Sequence, residues 1–464
     1  MKQPEAQEDA GGASVAEPDF AAYVGLDWAD EKHVCCLAVA GTAEREREEL
    51  RNTPEDLQVW AAGLYHRFGG RKVAVCLEQS RGAVVFQLAK FPHLELYPAH
   101  PTTLAKYRQA FCPSGSKNDP GDSGLLLELV MRHREHLRRL QPEDEQTRLL
   151  QMLVEHRRKL VDDRTALSNR LTAWLKTYYP QTLNWIDDVD SKLGCAWLER
   201  WPTLQEVQRC HAATLRQFFQ QHHSRSPERI QQRIQAIQQA TPAVTDQALL
   251  RAGAMITRTL VASLKVLGES IAQLDTEIAE LAAQHPEARL FSGLPGAGPV
   301  LGPRLIVAFG TQRQRYHTAQ DLQSYSGIAP VTMQSGNTRC VHFRYACPKF
   351  LRQTFHEFAA HSIHRSVWAR AYYQMYISRH PHDKHKHHAA VRALAYKWMR
   401  VLFRCWQDRT PYDEAVYLRA LEKHHSPLAQ ASQPGSTDSL AAVTVTGLEW
   451  RTVSGFQKLC RKNA

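Results

Sequence analysis

Several features common in other classes of protein are missing from this chain, and each absence narrows its function. No segment approaches the ~18 uncharged apolar residues of a membrane-spanning helix, and the most apolar stretch, 291–303, is broken by prolines and glycines. The first eighteen residues lack the basic and apolar regions of a signal peptide. The ten cysteines form no CxxC pair, so we interpret them as reduced packing residues. These absences predict a cytoplasmic protein that does not contact a membrane.

The charge balance points to a polyanionic partner. Across 464 residues, 58 Lys and Arg against 47 Asp and Glu give a net charge of +11. Nucleic acid is the leading interpretation, and its binding should weaken steeply with salt. The alternative is a solvated basic surface without such a role.

The N-terminal part reads as an α/β domain over 20–140. Apolar segments at 22–27 and 34–39 predict a hairpin, and 72–78 and 94–98 predict further strands that alternate with helices. This order indicates a mixed sheet with Asp27 and Glu78 on neighbouring strands.

The middle of the chain, 141–285, is helical. Leu153, Leu160, Leu167 and Trp174 recur every seven residues, and a stronger heptad ladder runs from Leu260 to Leu281. We expect two long antiparallel helices, as in a coiled coil, with the segment 181–245 inserted at their tip. The apolar stripe serves either to pack one helix on the other or to form a dimer.

The remainder divides into a mainly α domain at 286–425 and a tail at 426–464 rich in Gln, Ser, Thr and Pro. A loose leader is expected at 1–19. The domain at 286–425 is Gly/Pro-rich at its entry and helical later, at 349–362 and 389–406.

Four carboxylates stand out by their placement: Asp27, Glu78, Asp119 and Asp122. Oxygen ligands that converge from strand ends and a helix suit divalent ions such as Mg²⁺, which can assist phosphoryl transfer. For Asp119 and Asp122 helix capping is an alternative, because the run Asp-Pro-Gly-Asp is also a good helix start.

The C-terminal domain offers residues suited to binding phosphates. Gly296 and Gly298 lie in a turn similar to that of a helix-hairpin-helix, where backbone amides approach a phosphate, although a plain turn between packed helices is the alternative. Ser326 and Ser335 each precede a glycine, a pair that usually marks a turn. The His-rich tract 380–388 is interleaved with lysines, which favours a polyanion contact or a solvated turn over a metal cage. Further cations that could hold phosphates are Arg339, Arg344, Lys349 and Arg352.

Several of these segments resemble, in order and spacing, a family of insertion-sequence transposases. They are 23–27, 77–82, 97–106 and 117–122, with 324–330 and 334–339 in the C-terminal domain. That family joins a RuvC-like domain of RNase H fold, carrying an Asp-Glu-Asp-Asp set, to a domain with a serine nucleophile. Its members are understood as bridge-RNA-guided recombinases.

The resemblance implies a role for each matching residue. Asp27, Glu78, Asp119 and Asp122 would bind Mg²⁺ or Mn²⁺, and Ser335 would be the nucleophile, with Ser326 structural. The neighbours of Asp119 and Asp122 differ from the family's usual Lys-Thr-Asp-x-x-Asp-Ala, and 343–349 departs from its Ile-Ser-Lys-x-Gly run.

The resulting expectation is a DNA transposase that cuts and exchanges strands through a serine–DNA phosphodiester. Its implied partners are donor and target duplex DNA, a structured guide RNA and further copies of itself, as a dimer or tetramer, in a prokaryotic nucleoid. Two other hypotheses remain: a RuvC-like metal nuclease that uses water, with a C-terminal domain that only binds DNA, and a non-catalytic nucleic-acid-binding scaffold.

Overall fold

The computed structural model describes residues 19–111, 119–222, 226–336, 338–382 and 384–432. The expected leader and most of the expected tail lie outside these residues. The chain forms two compact units, 1–142 and 143–464, and each is described by itself.

The N-terminal unit contains a mixed five-stranded sheet, which confirms the α/β prediction. Its strands are β1 (Ala22–Asp27), β2 (Lys32–Val39), β3 (Glu46–Arg51), β4 (Val73–Leu77) and β5 (Leu94–Pro98), in the order β3-β2-β1-β4-β5. The first three strands are antiparallel, whereas β4 and β5 run parallel to β1. The helices of this unit are α1 (Pro54–Arg67), α2 (Ala83–Leu88), α3 (Pro101–Phe111) and α4 (Asp119–Arg132).

Local sequence explains where α1 begins and which face it buries. The Thr53 side chain accepts a hydrogen bond from the Asp56 amide, and Pro54 occupies the first turn, where no amide donor is needed. Its buried face carries Leu57, Trp60, Ala61 and Leu64, which join the apolar core on one side of the sheet.

Helix α4 packs on the other face of the sheet at very close range. A Cβ atom added to Gly25 in the middle of β1 would overlap the Ser123 carbonyl oxygen and the Leu127 amide nitrogen of α4. Only glycine allows this approach, which brings the first turn of α4 onto β1.

We expect Gly25→Ala to destabilise the N-terminal unit by about 3 kcal/mol, because the added methyl group must push α4 away from β1. The matched control is Gly124→Ala in α4, where a new Cβ would meet only the Arg47 side chain, at 3.9 Å. That change should raise stability by up to about 1 kcal/mol, because alanine favours helix. Thermal unfolding of both variants is the measurement, and equal midpoints would contradict this account of the packing.

The second unit is built on two long helices, α5 (Glu145–Tyr178) and α10 (Gln247–Gln284). Arg157 pairs with Asp275 at 2.5 Å, and the hydroxyls of Tyr178 and Thr257 lie 2.7 Å apart. Arg157 precedes Tyr178 in α5, whereas its partner Asp275 follows Thr257 in α10. The two helices are therefore antiparallel.

The heptad stripe of α10 faces the interior of its own unit. Leu260, Leu264 and Ile278 are buried in the cores shared with α5, and Ile271 is also buried. Leu267, Leu274 and Leu281 are partly buried. Packing within the chain therefore involves much of the stripe, and three of its leucines remain partly exposed.

Between α5 and α10 lie four short helices with their own aromatic core: α6 (Lys192–Arg200), α7 (Leu204–Gln208), α8 (Ala212–Gln221) and α9 (Pro227–Gln239). The Trp197 ring packs against Trp201, Phe218 and Phe219, with centroids 4.9, 5.7 and 5.3 Å away. This segment thus carries a hydrophobic core despite its weak periodicity.

The rest of the second unit is mainly helical, as predicted, and includes a two-stranded hairpin that sequence reasoning did not predict. The hairpin consists of β6 (Val331–Ser335) and β7 (Thr338–His342). The helices are α11 (Ala288–Phe291), α12 (Gly298–Phe309), α13 (Ala319–Tyr325), α14 (Lys349–Ser362), α15 (Val367–Arg379), α16 (Lys386–Gln407), α17 (Glu414–Lys423) and α18 (Pro427–Ala431). Their core centres on Trp368, Trp398 and Trp406, all fully buried.

The cysteines and the apolar helices of the described residues are as follows. Every cysteine whose structure is described is free: 35, 36, 76, 195, 210, 340, 347 and 405. None of the described helices combines the length and the apolar character required to cross a membrane.

Candidate functional site

Two of the four predicted acids lie at one edge of the sheet. Asp27 is the last residue of β1, and Glu78 directly follows β4. These strands are parallel neighbours, with Leu26 opposite Leu77, so the two acids occupy equivalent positions at the carboxyl ends. Both residues are partly exposed, as groups that receive a ligand from solvent must be.

Asp122 reaches the same strand through the close packing of α4 on Gly25. It is buried, and its Oδ1 atom accepts from Arg108 Nε at 2.8 Å and lies 2.6 Å from Arg108 Nη2. This pairing goes beyond helix capping, which was the alternative role for Asp122. Asp119 is the first residue of α4, and its side chain lies outside the description.

The donor set matches a hard divalent ion, because every member is a carboxylate and none is a soft ligand. Within the described residues, however, no group of three or more His, Cys, Asp or Glu side chains is close enough to hold a metal ion. Asp122 is instead neutralised by Arg108. Asp27, Glu78 and Asp122 are therefore brought to one region of the unit without forming a closed cage.

Arg108 was missed by sequence reasoning. It lies in α3, and no periodicity, turn or spacing in the segment singles it out from the neighbouring Lys106. Only the tertiary position of α3 beside α4 reveals that it faces Asp122.

Ser335 lies at the tip of the hairpin. It pairs with Thr338, and the next residue after it, Gly336, has φ +55° and so takes a conformation that favours glycine. Ser335 is exposed, so its hydroxyl is open to an incoming substrate. The hairpin presents apolar side chains to solvent as well: Met333 and Val341 are 61% and 62% exposed.

Ser326, the second serine of interest, is in a different environment. It is fully buried, and its hydroxyl donates to the Gln323 carbonyl at 3.3 Å. This arrangement agrees with the structural role expected for it.

The base of the hairpin is fixed to the helical core, although its tip projects. Arg344 Nε donates to the Ala329 carbonyl at 3.3 Å, and Arg352 Nη1 donates to the Arg344 carbonyl at 3.2 Å. Lys349 opens α14 and is exposed. Arg339 belongs to β7, but its side chain lies outside the description.

The two predicted phosphate-binding glycines have different surroundings. Gly296 has φ +87°, and an added Cβ would come within 2.9 Å of the Ser362 amide nitrogen, so this glycine serves close packing against α14. Gly298 has φ +57°, is exposed, and begins α12 with open space around its Cβ position. Of the two, Gly298 is the one with open surroundings.

The His-rich tract leads into α16. His387 Nδ1 lies 2.9 Å from the Tyr373 hydroxyl, and His380 Nδ1 lies 2.9 Å from the Tyr376 carbonyl oxygen. Of the histidines in the described part of the tract, none belongs to a group that could hold a metal ion.

Comparison with known proteins identifies two parts of the chain. Residues 24–180 match a model for transposases with a DEDD domain of the IS110 type, and residues 288–374 match a model described as transposase IS116/IS110/IS902 family. The two matched regions together cover more than half of the chain and include the sheet, α4, α12 and the hairpin.

Whole proteins show the same relationship. The "Mini-circle putative transposase for IS117" of Streptomyces coelicolor is 26% identical over 434 residues, covering 90% of this chain and 99% of that protein. A 43.6 kDa insertion element IS110 protein of the same organism is 25% identical over 86% of this chain and 97% of its own length. A 44.8 kDa insertion element IS116 protein of Streptomyces clavuligerus is 26% identical over 74% and 79%.

The fold and the matches define a DNA transposase, an enzyme of a mobile element. The chain belongs to the family of insertion-sequence transposases that carry an N-terminal DEDD domain and a C-terminal IS116/IS110/IS902 domain.

Proposed function

We propose that this transposase cuts and exchanges DNA strands through a covalent bond between Ser335 and DNA. The observation that carries the proposal is the position of Ser335, an exposed hydroxyl on the tip of a hairpin whose base is fixed by Arg344 and Arg352. A hydroxyl so placed can reach a phosphodiester without unfolding the core.

The proposed cleavage step needs no reactant besides the serine and the DNA. The Ser335 hydroxyl loses its proton, and its oxygen forms a bond to phosphorus while one phosphorus–oxygen bond to a deoxyribose breaks. The released sugar hydroxyl takes up a proton. Because a phosphodiester is exchanged for another phosphodiester, a hydroxyl from a second DNA strand can reverse the step and join to the new partner.

The acids at the edge of the sheet are proposed to hold Mg²⁺ or Mn²⁺. Asp27, Glu78, Asp119 and Asp122 would be the ligands, and the ion would neutralise charge that develops on phosphate oxygens. Before any ion binds, Arg108 supplies a positive charge to the buried Asp122 carboxylate and fixes its position. The strand order β3-β2-β1-β4-β5 supports the RuvC-like fold implied by the resemblance.

Guidance by a structured bridge RNA is part of the proposal. Base pairing would then carry sequence specificity, and the protein would contact backbone and shape. The net charge of +11 supports such contacts. Gly298 and the cations Arg339, Arg344, Lys349 and Arg352 are the residues proposed to bind phosphates, with Gly296 shaping the turn. Sequencing the RNA that co-purifies with the protein tests the guide directly.

A multimer is also proposed, at least a dimer, since exchange between two DNA duplexes needs several strand cleavages. Light scattering of the protein with duplex DNA should give a mass of two or more chains per complex. A single chain in an active complex would contradict the proposal. Charged substitutions at Leu267 and Ile271 are not a suitable test, because Ile271 is buried and Leu267 is partly buried within the single chain, so both changes would also affect folding.

The test of the central proposal is detection of the covalent species. Incubation with labelled duplex DNA and the RNA that co-purifies should yield a protein–DNA adduct that survives denaturation. Peptide mapping should place the attached nucleotide on the peptide that contains Ser335. Cleavage without any adduct would favour a nuclease that uses water.

A further inference from the structure

Two arginines from different helices meet on one aromatic ring at the base of the serine hairpin. Phe343 is the first residue after β7, Arg352 lies in α14 and Arg392 lies in α16. Their guanidinium carbons are 4.7 Å and 4.1 Å from the centroid of the Phe343 ring. We call these three residues the Phe343 cation site.

Among the described residues, no carboxylate is paired with the two arginines of this site. Neither arginine forms an ion pair with a carboxylate in the described part of the chain, and Arg352 donates only to the Arg344 carbonyl. The neighbouring Glu357 pairs with Arg304 instead. Arg344 and Lys349, also positive, lie on the same stretch of chain.

The pKa values of groups at and near the site reflect the same excess of positive charge. Burial, followed by the positive charge of Arg352, lowers the pKa of Arg392. Burial, with His388 and Arg392 nearby, lowers the pKa of His356 to about 4, so this ring is neutral at pH 7. Stacking on an aromatic face offsets part of the repulsion between the guanidinium groups, and an anion would offset the rest.

We propose that Phe343, Arg352 and Arg392 bind one backbone phosphate of the duplex DNA that the transposase cuts. Guanidinium groups held beside one ring can each donate to phosphate oxygens, and such a contact would fix the position of DNA without reading its sequence. Arg392 adds to the phosphate-binding cations named from the sequence. It lies forty residues beyond Arg352, and no motif in the sequence marks it as a binding residue.

The site also predicts how far along the DNA the bound phosphate lies from the cut, which we call the register. This prediction rests on the proposed role of Ser335. Phe343 lies five positions beyond Thr338, the partner of Ser335, so about 17 Å of strand separates the ring from the serine. This span corresponds to about five base-pair steps of B-form DNA. The bound phosphate is therefore expected within about five base pairs of the bond that Ser335 attacks.

The test is the salt dependence of binding to a 40-base-pair duplex of mixed sequence, without divalent ions so that no strand is cut. Loss of one phosphate contact lowers the slope of log affinity against log salt by about 0.9. The double variant Arg352→Gln/Arg392→Gln removes the whole contact and should show this reduction. Each single variant leaves one arginine on the phosphate and should show a smaller reduction. The matched control is Arg400→Gln, which removes the same charge from an exposed position on α16 and should leave the slope unchanged.

Thermal unfolding separates binding from a structural role. Removing one of two like charges relieves repulsion, so Arg392→Gln should unfold at the same temperature as the parent or higher. A lower unfolding temperature with an unchanged slope would overturn the proposal, as would equal effects of Arg392→Gln and Arg400→Gln. A slope reduced on structured RNA but not on DNA would overturn the assignment to DNA.

A second arm tests the register. Single phosphates of the duplex are replaced by neutral methylphosphonates, position by position around the cut. One replacement within about five base pairs should weaken binding by the parent but not by the double variant Arg352→Gln/Arg392→Gln. The absence of any such position would overturn the register. Binding does not need the serine, so Ser335→Ala should keep the parent slope, and failure of the nucleophile proposal would be seen separately as cleavage by Ser335→Ala.

Discussion

Ser335→Ala is expected to abolish strand cleavage and the covalent protein–DNA species together. Removing a nucleophile that acts directly on the reacting atom lowers the rate by roughly 10⁴-fold or more. Because Ser335 is exposed at a hairpin tip, the loss of its hydroxyl should leave the unfolding temperature and the affinity for DNA close to those of the parent. Cleavage of labelled duplex and adduct formation on a denaturing gel are the measurements.

Two controls make this result specific. Thr338→Ala removes the hydroxyl directly opposite Ser335 in the same hairpin, and it should retain cleavage and adduct. Ser326→Ala removes a buried hydroxyl bonded to Gln323, so its effect should appear in stability rather than in the adduct. If Ser335→Ala cuts DNA at the parent rate, the serine is not the nucleophile and the water-using nuclease becomes the better explanation.

The parts of the fold that could be predicted are those where burial follows a regular pattern. The strands at Ala22–Asp27 and Leu94–Pro98 and the helix Lys349–Ser362 agree with the sequence in both bounds. Each has an apolar set with the period of its element, packed on a core. The same logic placed Asp27 and Glu78, because a polar residue at the end of a buried strand marks an edge of the sheet.

The hairpin at Val331–His342 could not be predicted in this way, because neither of its faces packs on a core. Met333 and Val341 are exposed, so the segment lacks the alternation between an apolar face and a polar face that reveals a strand. The pairing of β6 with β7 forms instead around the Gly336 turn, and the Ser-Gly-Asn sequence reads equally well as a loop.

Arg108 and Arg392 show a second limit. Both are ordinary helical arginines in the sequence, and each acquires its role only when another element, α4 or the end of β7, is packed beside it. The apolar stripe of α10 shows a different limit: its heptad pattern is clear in the sequence, but it fits both packing on α5 and dimerisation. The structure shows that Leu264 and Ile271 pack within the chain, which no sequence period could indicate by itself.

Asp27→Asn is expected to reduce strand cleavage by roughly 10³-fold, while RNA and DNA binding remain nearly intact. The substitution keeps the size of the side chain but removes a charge, so it should weaken the binding of the divalent ion. A bound ion stabilises the transition state by several kcal/mol, and a 10³-fold loss of rate corresponds to about 4 kcal/mol. Glu78→Gln, Asp119→Asn and Asp122→Asn should behave alike. The matched control is Asp30→Asn, an exposed aspartate three residues beyond β1, which should cut normally.

Metal titration by calorimetry and cleavage across Mg²⁺ concentrations are the measurements, and a parent-like response of Asp27→Asn to metal would contradict the ligand assignment. Because the acids and Ser335 belong to different compact units of the chain, a mixture of Ser335→Ala and Asp27→Ala proteins tests which copies act together. If the acids of one subunit can serve the serine of another, the mixture should regain part of the cleavage that each variant lacks alone. No recovery would assign the serine and the four acids to the same subunit, and would leave the role of each residue unchanged.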